Sequence, residues 1–127
     1  MPLVTISVPD HRPVLWRKKV ADIVNAAVID TLDFPPDDRY QLIQALPAEQ
    51  IELQNRHRDS VVLQLTMRAG RASQAKQAFY RRVVDDLAKR ADIDPACIMI
   101  VITENADADW SFGHGEAQFL VAQQQAS

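Results

Sequence analysis

Apolar and polar residues alternate over residues 3–8, with Leu3, Thr5 and Ser7 on one side and Val4, Ile6 and Val8 on the other. A period of two is that of a strand, so a strand is predicted directly after Pro2. Pro9 and Pro13 bracket a connection. From Val14 the spacing changes. Val20, Ile23, Val24, Ala27, Val28 and Thr31 recur at steps of three and four, the period of an amphipathic helix reaching about Leu32. Phe34-Pro35-Pro36-Asp37-Asp38 breaks it, because proline lacks an N–H and restricts the residue before it. Tyr40–Leu46 reads as a second strand.

The second half repeats the plan. Val61, Leu63, Leu65 and Met67 alternate with Val62, Gln64 and Thr66, predicting a strand over 60–67. Ser73 is a candidate cap for a helix carrying Phe79, Val83, Val84, Leu87 and Ala91 on one face. Asp94-Pro95 ends it, and residues 97–103 form another apolar strand. Pro36 and Pro95 stand 59 positions apart, as do Ser7 and Thr66, and Phe34 and Ile93. The halves at about 2–46 and 60–104 therefore read as two copies of one β-α-β unit, with a segment over 105–127 appended.

One such unit cannot bury both faces of its strands, whereas two can form a four-stranded sheet with both helices on one face. The expected class is α+β, in a single domain over 1–127. The strands at 3–8 and 97–103 read as apolar on both faces, so cover for the far face is expected from partner subunits.

Composition narrows the function classes. The chain has 127 residues, 47% hydrophobic and 24% charged, which is an ordinary globular balance and enough for one real core. A net charge of −3 argues against sequence-independent nucleic-acid binding, which needs a basic surface. Arg81–Arg82 and Lys89–Arg90 alternate with Asp85–Asp86, the pattern of a solvated helix face. Cys97 is the single cysteine and lies in an apolar run, so a buried thiol in a reducing compartment is expected. The opening residues lack a basic n-region, and no segment approaches a membrane span, so the cytoplasm is the expected compartment and no membrane partner is expected. His11, His57 and His114 have neither paired spacing nor cysteine partners, which argues against a metal site; no cofactor is expected.

Four places carry candidate chemistry. Pro2 would become a secondary amine if Met1 were removed, and a free α-amino group titrates near ~7.7–8.0, within reach of proton transfer at neutral pH. Pro36-Asp37-Asp38-Arg39-Tyr40 reads as a turn, or as a carboxylate held at a strand end. Met67-Arg68-Ala69-Gly70-Arg71-Ala72-Ser73 reads as a basic surface loop, or as a carboxylate clamp, since guanidinium grips carboxylate in a fork and helix N–H groups favour anions. In Glu104–Gly115, Trp110 and Phe112 would share a side of an extended segment, as core or interface residues or as an apolar wall.

Together these residues resemble the tautomerase superfamily, whose enzymes use an amino-terminal proline, and within it the malonate semialdehyde decarboxylase group. The resemblance is carried by Pro2-Leu3, Pro36…Asp38-Arg39-Tyr40-Gln41, Leu65-Thr66-Met67, Lys76…Phe79-Tyr80 and Glu104-Asn105…Asp107-Ala108-Asp109-Trp110-Ser111-Phe112-Gly113. It implies a homotrimer of duplicated β-α-β subunits with Pro2, Asp38 and Arg71 as catalytic residues. Arg71, with Arg68, would bind the carboxylate of a small oxo or enol acid, and Trp110 and Phe112 would line the site. The decarboxylases place two arginines one residue apart; here the loop is one residue shorter and Arg68 and Arg71 stand three apart. Keto–enol tautomerisation is accordingly the leading expectation. Decarboxylation or hydration of a malonate semialdehyde-type acid is the alternative, and a non-catalytic trimeric interaction module is the rival from another class.

Overall fold

A computed structural model describes residues 2–54 and 59–126. Met1 and His57 lie outside the described residues. In chain order the elements are β1 (Leu3–Pro9), α1 (Val14–Leu32), β2 (Tyr40–Leu46), β3 (Val61–Arg68), α2 (Ser73–Ala91), β4 (Ile98–Asn105) and α3 (Gln118–Ala126). Short 3₁₀ turns lie at 48–50, 95–97 and 107–109. The strands form one mixed sheet in the order β2-β1-β3-β4. β1 runs parallel to β2 and antiparallel to β3, which runs parallel to β4.

The repeat of 59 residues is visible throughout. It carries α1 onto α2 end for end, and the turn at 48–50 onto the turn at 107–109. Between β1 and β3, Thr5 pairs with Gln64, its own counterpart in the repeat, so an approximate twofold axis passes through that pair. Both helices stop at an aspartate in the left-handed conformation, Asp33 (φ 59°) and Asp92 (φ 56°), which also correspond. Aspartate tolerates that region better than most side chains. The helices thus end three residues before Pro35 and four before Pro95, the prolines assigned to stop them. At the start of α2 the cap position belongs to Ala72, with no side-chain cap bond, and Ser73 is the first helical residue rather than the cap.

One face of the sheet packs on both helices. Val4, Ile6 and Val8 of β1 and Val61, Leu63, Leu65 and Met67 of β3 are buried there against Val20, Ile23, Val24, Phe79, Val83 and Leu87. Phe79 is fully buried, and truncating it to alanine would cost about 3–5 kcal/mol. Cys97 is buried beside this core. Arg81, Lys89 and Arg90 are exposed, and Arg82 bridges the helices, bonded to Asp30 at 2.9 Å and to Asp86 at 2.7 Å.

The opposite sheet face is uncovered, and its apolar residues are distributed differently from the expectation. β1 presents Thr5 and Ser7 there beside Leu3, so it is not apolar on both faces; period-two alternation puts its valines and Ile6 inside. The exposed apolar surface comes from Leu3, Tyr40 and Leu42 at one side and Met99 and Val101 at the other. Leu42 is 54% exposed, which is high for a leucine in a strand.

Candidate active site at one end of the sheet

The strand register gathers the candidate residues at one end of the sheet. Leu3 pairs with Tyr40 on one side and with Thr66 on the other. Arg68 pairs with Asn105. Pro2, buried, precedes the first ladder pair by one residue, and half-buried Asp38 precedes it by two. Asp38 closes a tight turn in which its N–H donates to Pro35 O at 3.1 Å.

A pocket of about 430 Å³ opens at this end, on the sheet face turned away from α1 and α2. Its floor is Leu3, Tyr40, Thr66 and Asn105, one residue from each strand, and its wall is Asp109, Trp110, Ser111 and Phe112. The Trp110 and Phe112 rings stack at 5.4 Å with 12° between their planes, so the two do share a side of the segment. Trp110 Nε1–H donates to Asn105 Oδ1 at 2.7 Å, and Asp109 Oδ2 accepts from the Ala106 N–H at 2.9 Å. These bonds fix the wall to the end of β4.

The helix α3, an element the sequence pattern does not predict, braces the wall from outside. Phe119 meets Phe112 edge-on at 5.3 Å, and Gln118 accepts from the Phe112 N–H at 2.9 Å. Phe112 also lies 5.8 Å from the Tyr40 ring. Tyr40, Thr66 and Phe119 had not been assigned to the site. The signal for Thr66 was its place on the outward face of β3, between Gln64 and Arg68.

The two arginines diverge. Arg68 lies on the pocket face of β3, two residues beyond Thr66. Its guanidinium sits 3.8 Å above the Phe119 ring, and Nη1 donates to Asp107 Oδ1 at 3.0 Å. Its Nε is buried without a hydrogen-bond partner among the described residues. Arg71 turns to the helix layer instead. Its Nε donates to Leu32 O at 2.8 Å, its Nη2 reaches Asp33 O at 3.5 Å, and its guanidinium stacks 3.8 Å from Phe34. Arg71 therefore sits on the carboxyl end of α1, and neither it nor Pro2, Asp38 or Arg68 lines the pocket as drawn by its walls.

The loop between β3 and α2 is tied to the end of β4. The Ala69 N–H donates to Asn105 O at 2.8 Å, and Lys76 Nζ donates to Glu104 Oε1. The Lys76 hydrogen bond holds the Glu104 carboxyl below the usual carboxylate range; partial burial opposes this, while the Lys76 charge and the Gly70 N–H reinforce it.

The repeat builds a second pocket, of about 220 Å³, at the other end of the same sheet face. Ser7, Leu46, Val62 and the wall residues Gln50–Leu53 correspond to Thr66, Asn105, Leu3 and Asp109–Phe112. There, however, Val61 occupies the place of Pro2, its nitrogen locked in an amide, and Ile51 and Leu53 replace the stacked rings. Of the two ends, the one at Pro2 carries the proline and the stacked rings. Another cavity, of about 640 Å³, lies between α1 and the edge of β2, where Arg39 is already engaged by Asp22 at 2.8 Å.

A duplicated β-α-β sheet with a residue-2 proline beside an aromatic-walled pocket is the frame of a tautomerase. The chain belongs to that family: the family model described as "Tautomerase enzyme" matches residues 38–113. It is 35% identical to the probable tautomerase YrdN of Bacillus subtilis (strain 168), over 94% of this chain and 97% of the relative. Among solved structures it is similar to a malonate semialdehyde decarboxylase inhibited by 3-bromopropiolate, at 30% identity and a TM-score of 0.88, covering 95% of this chain and 96% of that one. A fused 4-OT asymmetric trimer shares the fold, with 21% identity and a TM-score of 0.79 over 93% and 98% of the chains. Among the described residues no helix is long and apolar enough to cross a membrane.

Proposed function

We propose that the protein tautomerises a small oxo or enol acid, with Pro2 as the proton-transfer base once Met1 is removed. The observation that carries this reading is the register of Leu3 with Tyr40 and Thr66, because all three line the pocket and Pro2 immediately precedes Leu3. A neutral secondary amine there takes a proton from carbon and returns it to the other end of the enol. General acid–base help of this kind is worth roughly 10²–10⁴-fold. Asp38, at the same sheet end, tunes the amine. Trp110 and Phe112 exclude water and strengthen every electrostatic contact within.

The sequence offered Arg71 as the main carboxylate ligand, with Arg68 beside it. The geometry favours the opposite ranking. Among the described residues Arg68 has an unsatisfied Nε–H and stacks on Phe119 behind the wall, whereas Arg71 would have to leave two helix carbonyls to reach a substrate. Arg68 is therefore assigned the carboxylate, and Arg71 the support of α1 behind it.

Decarboxylation of a β-oxo acid is the second reading, favoured by similarity to a malonate semialdehyde decarboxylase over nearly the whole chain. There a cationic Pro2 would stabilise the enolate left after carbon dioxide departs. Assembly as a homotrimer in the cytoplasm, each chain one domain, completes the proposal. It is supported by the uncovered apolar sheet face and by the trimeric state of a protein sharing the fold. The deciding experiment is a screen of enol and oxo acids, including phenylenolpyruvate and malonate semialdehyde, against processed protein and Pro2→Ala. Turnover by the first alone supports the reading; equal rates for both proteins overturn it.

A further inference from the structure

Resting on the assignment of Arg68 to the substrate carboxylate, we propose that Glu104 is a positioning residue which, held by Lys76, fixes the loop carrying Arg68 and so sets where that guanidinium stands beside the pocket. Glu104 is not a pocket residue. It lies on the helix side of β4, in register with buried Met67, whereas its neighbour Asn105 faces the pocket and pairs with Arg68. Any influence it has on substrate must pass through the backbone.

The connections for that influence are all present. Only four residues, 69–72, separate Arg68 from the first residue of α2. Gly70 has φ +133°, a conformation that L side chains rarely adopt, so the loop bends sharply there. The end of β4 and the turn after it hold this bend at three places. Lys76 of α2 reaches back to the Glu104 carboxylate, the Ala69 N–H bonds Asn105 O, and Arg68 bonds Asp107. The Lys76 and Glu104 side chains are 22% and 29% exposed, so the pair is shielded on most sides. Without the carboxylate, Lys76 loses its partner and the Gly70 N–H loses a nearby negative charge. The bend then keeps the Ala69–Asn105 and Arg68–Asp107 bonds and the Arg71 bonds to α1 but loses its tie to α2, and Arg68 shifts with it. An error of about 1 Å in a binding group can cost up to ~10²-fold in rate.

A test uses Glu104→Gln, Lys76→Met and the exchange Lys76→Glu/Glu104→Lys, each compared with the full-length processed protein. Amide hydrogen exchange is read at Ala69, Gly70 and Arg71, with the β3 amides as internal control. Loop exchange in Glu104→Gln and Lys76→Met should quicken about tenfold while the β3 amides and Tm hold. KM for whichever acid the screen identifies should rise about tenfold with kcat within about twofold, the signature of a displaced binding group. The exchange variant should likewise keep Tm without recovering KM, because it leaves a cation where the loop needs a carboxylate. Unchanged loop protection overturns the proposal, as does a uniform rise in exchange with a falling Tm, or a swap that restores KM. Hydrogen exchange needs no substrate, so an inactive wild type would defeat the tautomerase reading while leaving the loop-fixing role measurable.

Discussion

Arg12 and Arg71, 59 positions apart, make the same bond across the approximate twofold axis. Arg12 Nη2 donates to Asp92 O at 3.3 Å and Arg71 Nη2 to Asp33 O at 3.5 Å, each reaching the left-handed residue that ends the other repeat's helix. A helix C-terminus presents unpaired carbonyls and partial negative charge, which a guanidinium satisfies. Arg12 lies beyond the end of β1 opposite Pro2, so the bond needs no catalytic explanation there. By correspondence it needs none at Arg71.

Arg71→Ala should therefore lower stability by about 1 kcal/mol, the usual worth of one such hydrogen bond together with a cation at a helix end. Arg12→Ala should do the same, and Trp16, whose Nε1–H donates to Ala91 O at 2.8 Å, shares the load at that end. Urea denaturation of both variants checks this. A stable Arg71→Ala protein with KM raised more than tenfold would return Arg71 to the substrate.

Arg68→Ala should act the other way. With the substrate carboxylate ungripped in both ground and transition states, KM rises by about tenfold or more and kcat changes little. Stability should fall by less than about 1 kcal/mol, since the Asp107 partner is itself about one-third exposed. Steady-state kinetics with the identified acid, alongside the Arg71 variant, separates the two guanidinium groups. Equal KM for Arg68→Ala and the parent would remove Arg68 from the site.

Assembly gives a further test. Leu42 and Val101 point outward from opposite edges of the sheet, 54% and 45% exposed, and a trimer would cover such surface. Leu42→Glu should shift the light-scattering mass towards the monomer without unfolding α1 or α2, because the helix-side core is untouched. A parent protein that is monomeric at low micromolar concentration would refute the trimer outright.

How much of this was legible in the sequence follows from what periodicity can encode. Both long helices were read at 14–32 and near 73–91 because their apolar residues keep one period against a single sheet face. The duplication showed in proline spacing, since proline marks where an element must stop. The left-handed aspartates at 33 and 92 were missed because their role lies in backbone torsion rather than hydropathy. The site was half legible. Trp110 and Phe112 are two apart in an extended stretch, so their sharing a side followed from local geometry. Tyr40 and Thr66 enter only through register, and the opposite directions of Arg68 and Arg71 depend on the bend at Gly70, which residue type alone does not orient. α3 was missed because Phe119 and the glutamines after it carry little helical periodicity; its role is to brace Phe112.

The last prediction uses Asp38 to separate the two chemistries proposed for Pro2. A carboxylate near the amine favours the ammonium form and raises its pKa, whereas Arg68 and burial of Pro2 favour the neutral form and lower it. A tautomerase using the neutral amine gains kcat/KM as pH rises through the amine's titration. Asp38→Asn removes the negative charge, lowers the amine pKa, and so moves that acid limb to lower pH. A decarboxylase using the cation loses activity as pH rises through the same titration, and Asp38→Asn brings that loss to lower pH. Each chemistry therefore predicts the same direction of shift on opposite limbs. One pH–rate series on each protein, with nitrogen-15 titration of labelled Pro2, assigns the limb to the amine. Activity falling with pH through the Pro2 titration would replace the tautomerase by the decarboxylase. A limb that Asp38→Asn leaves in place would show that the carboxylate does not sense the amine at all.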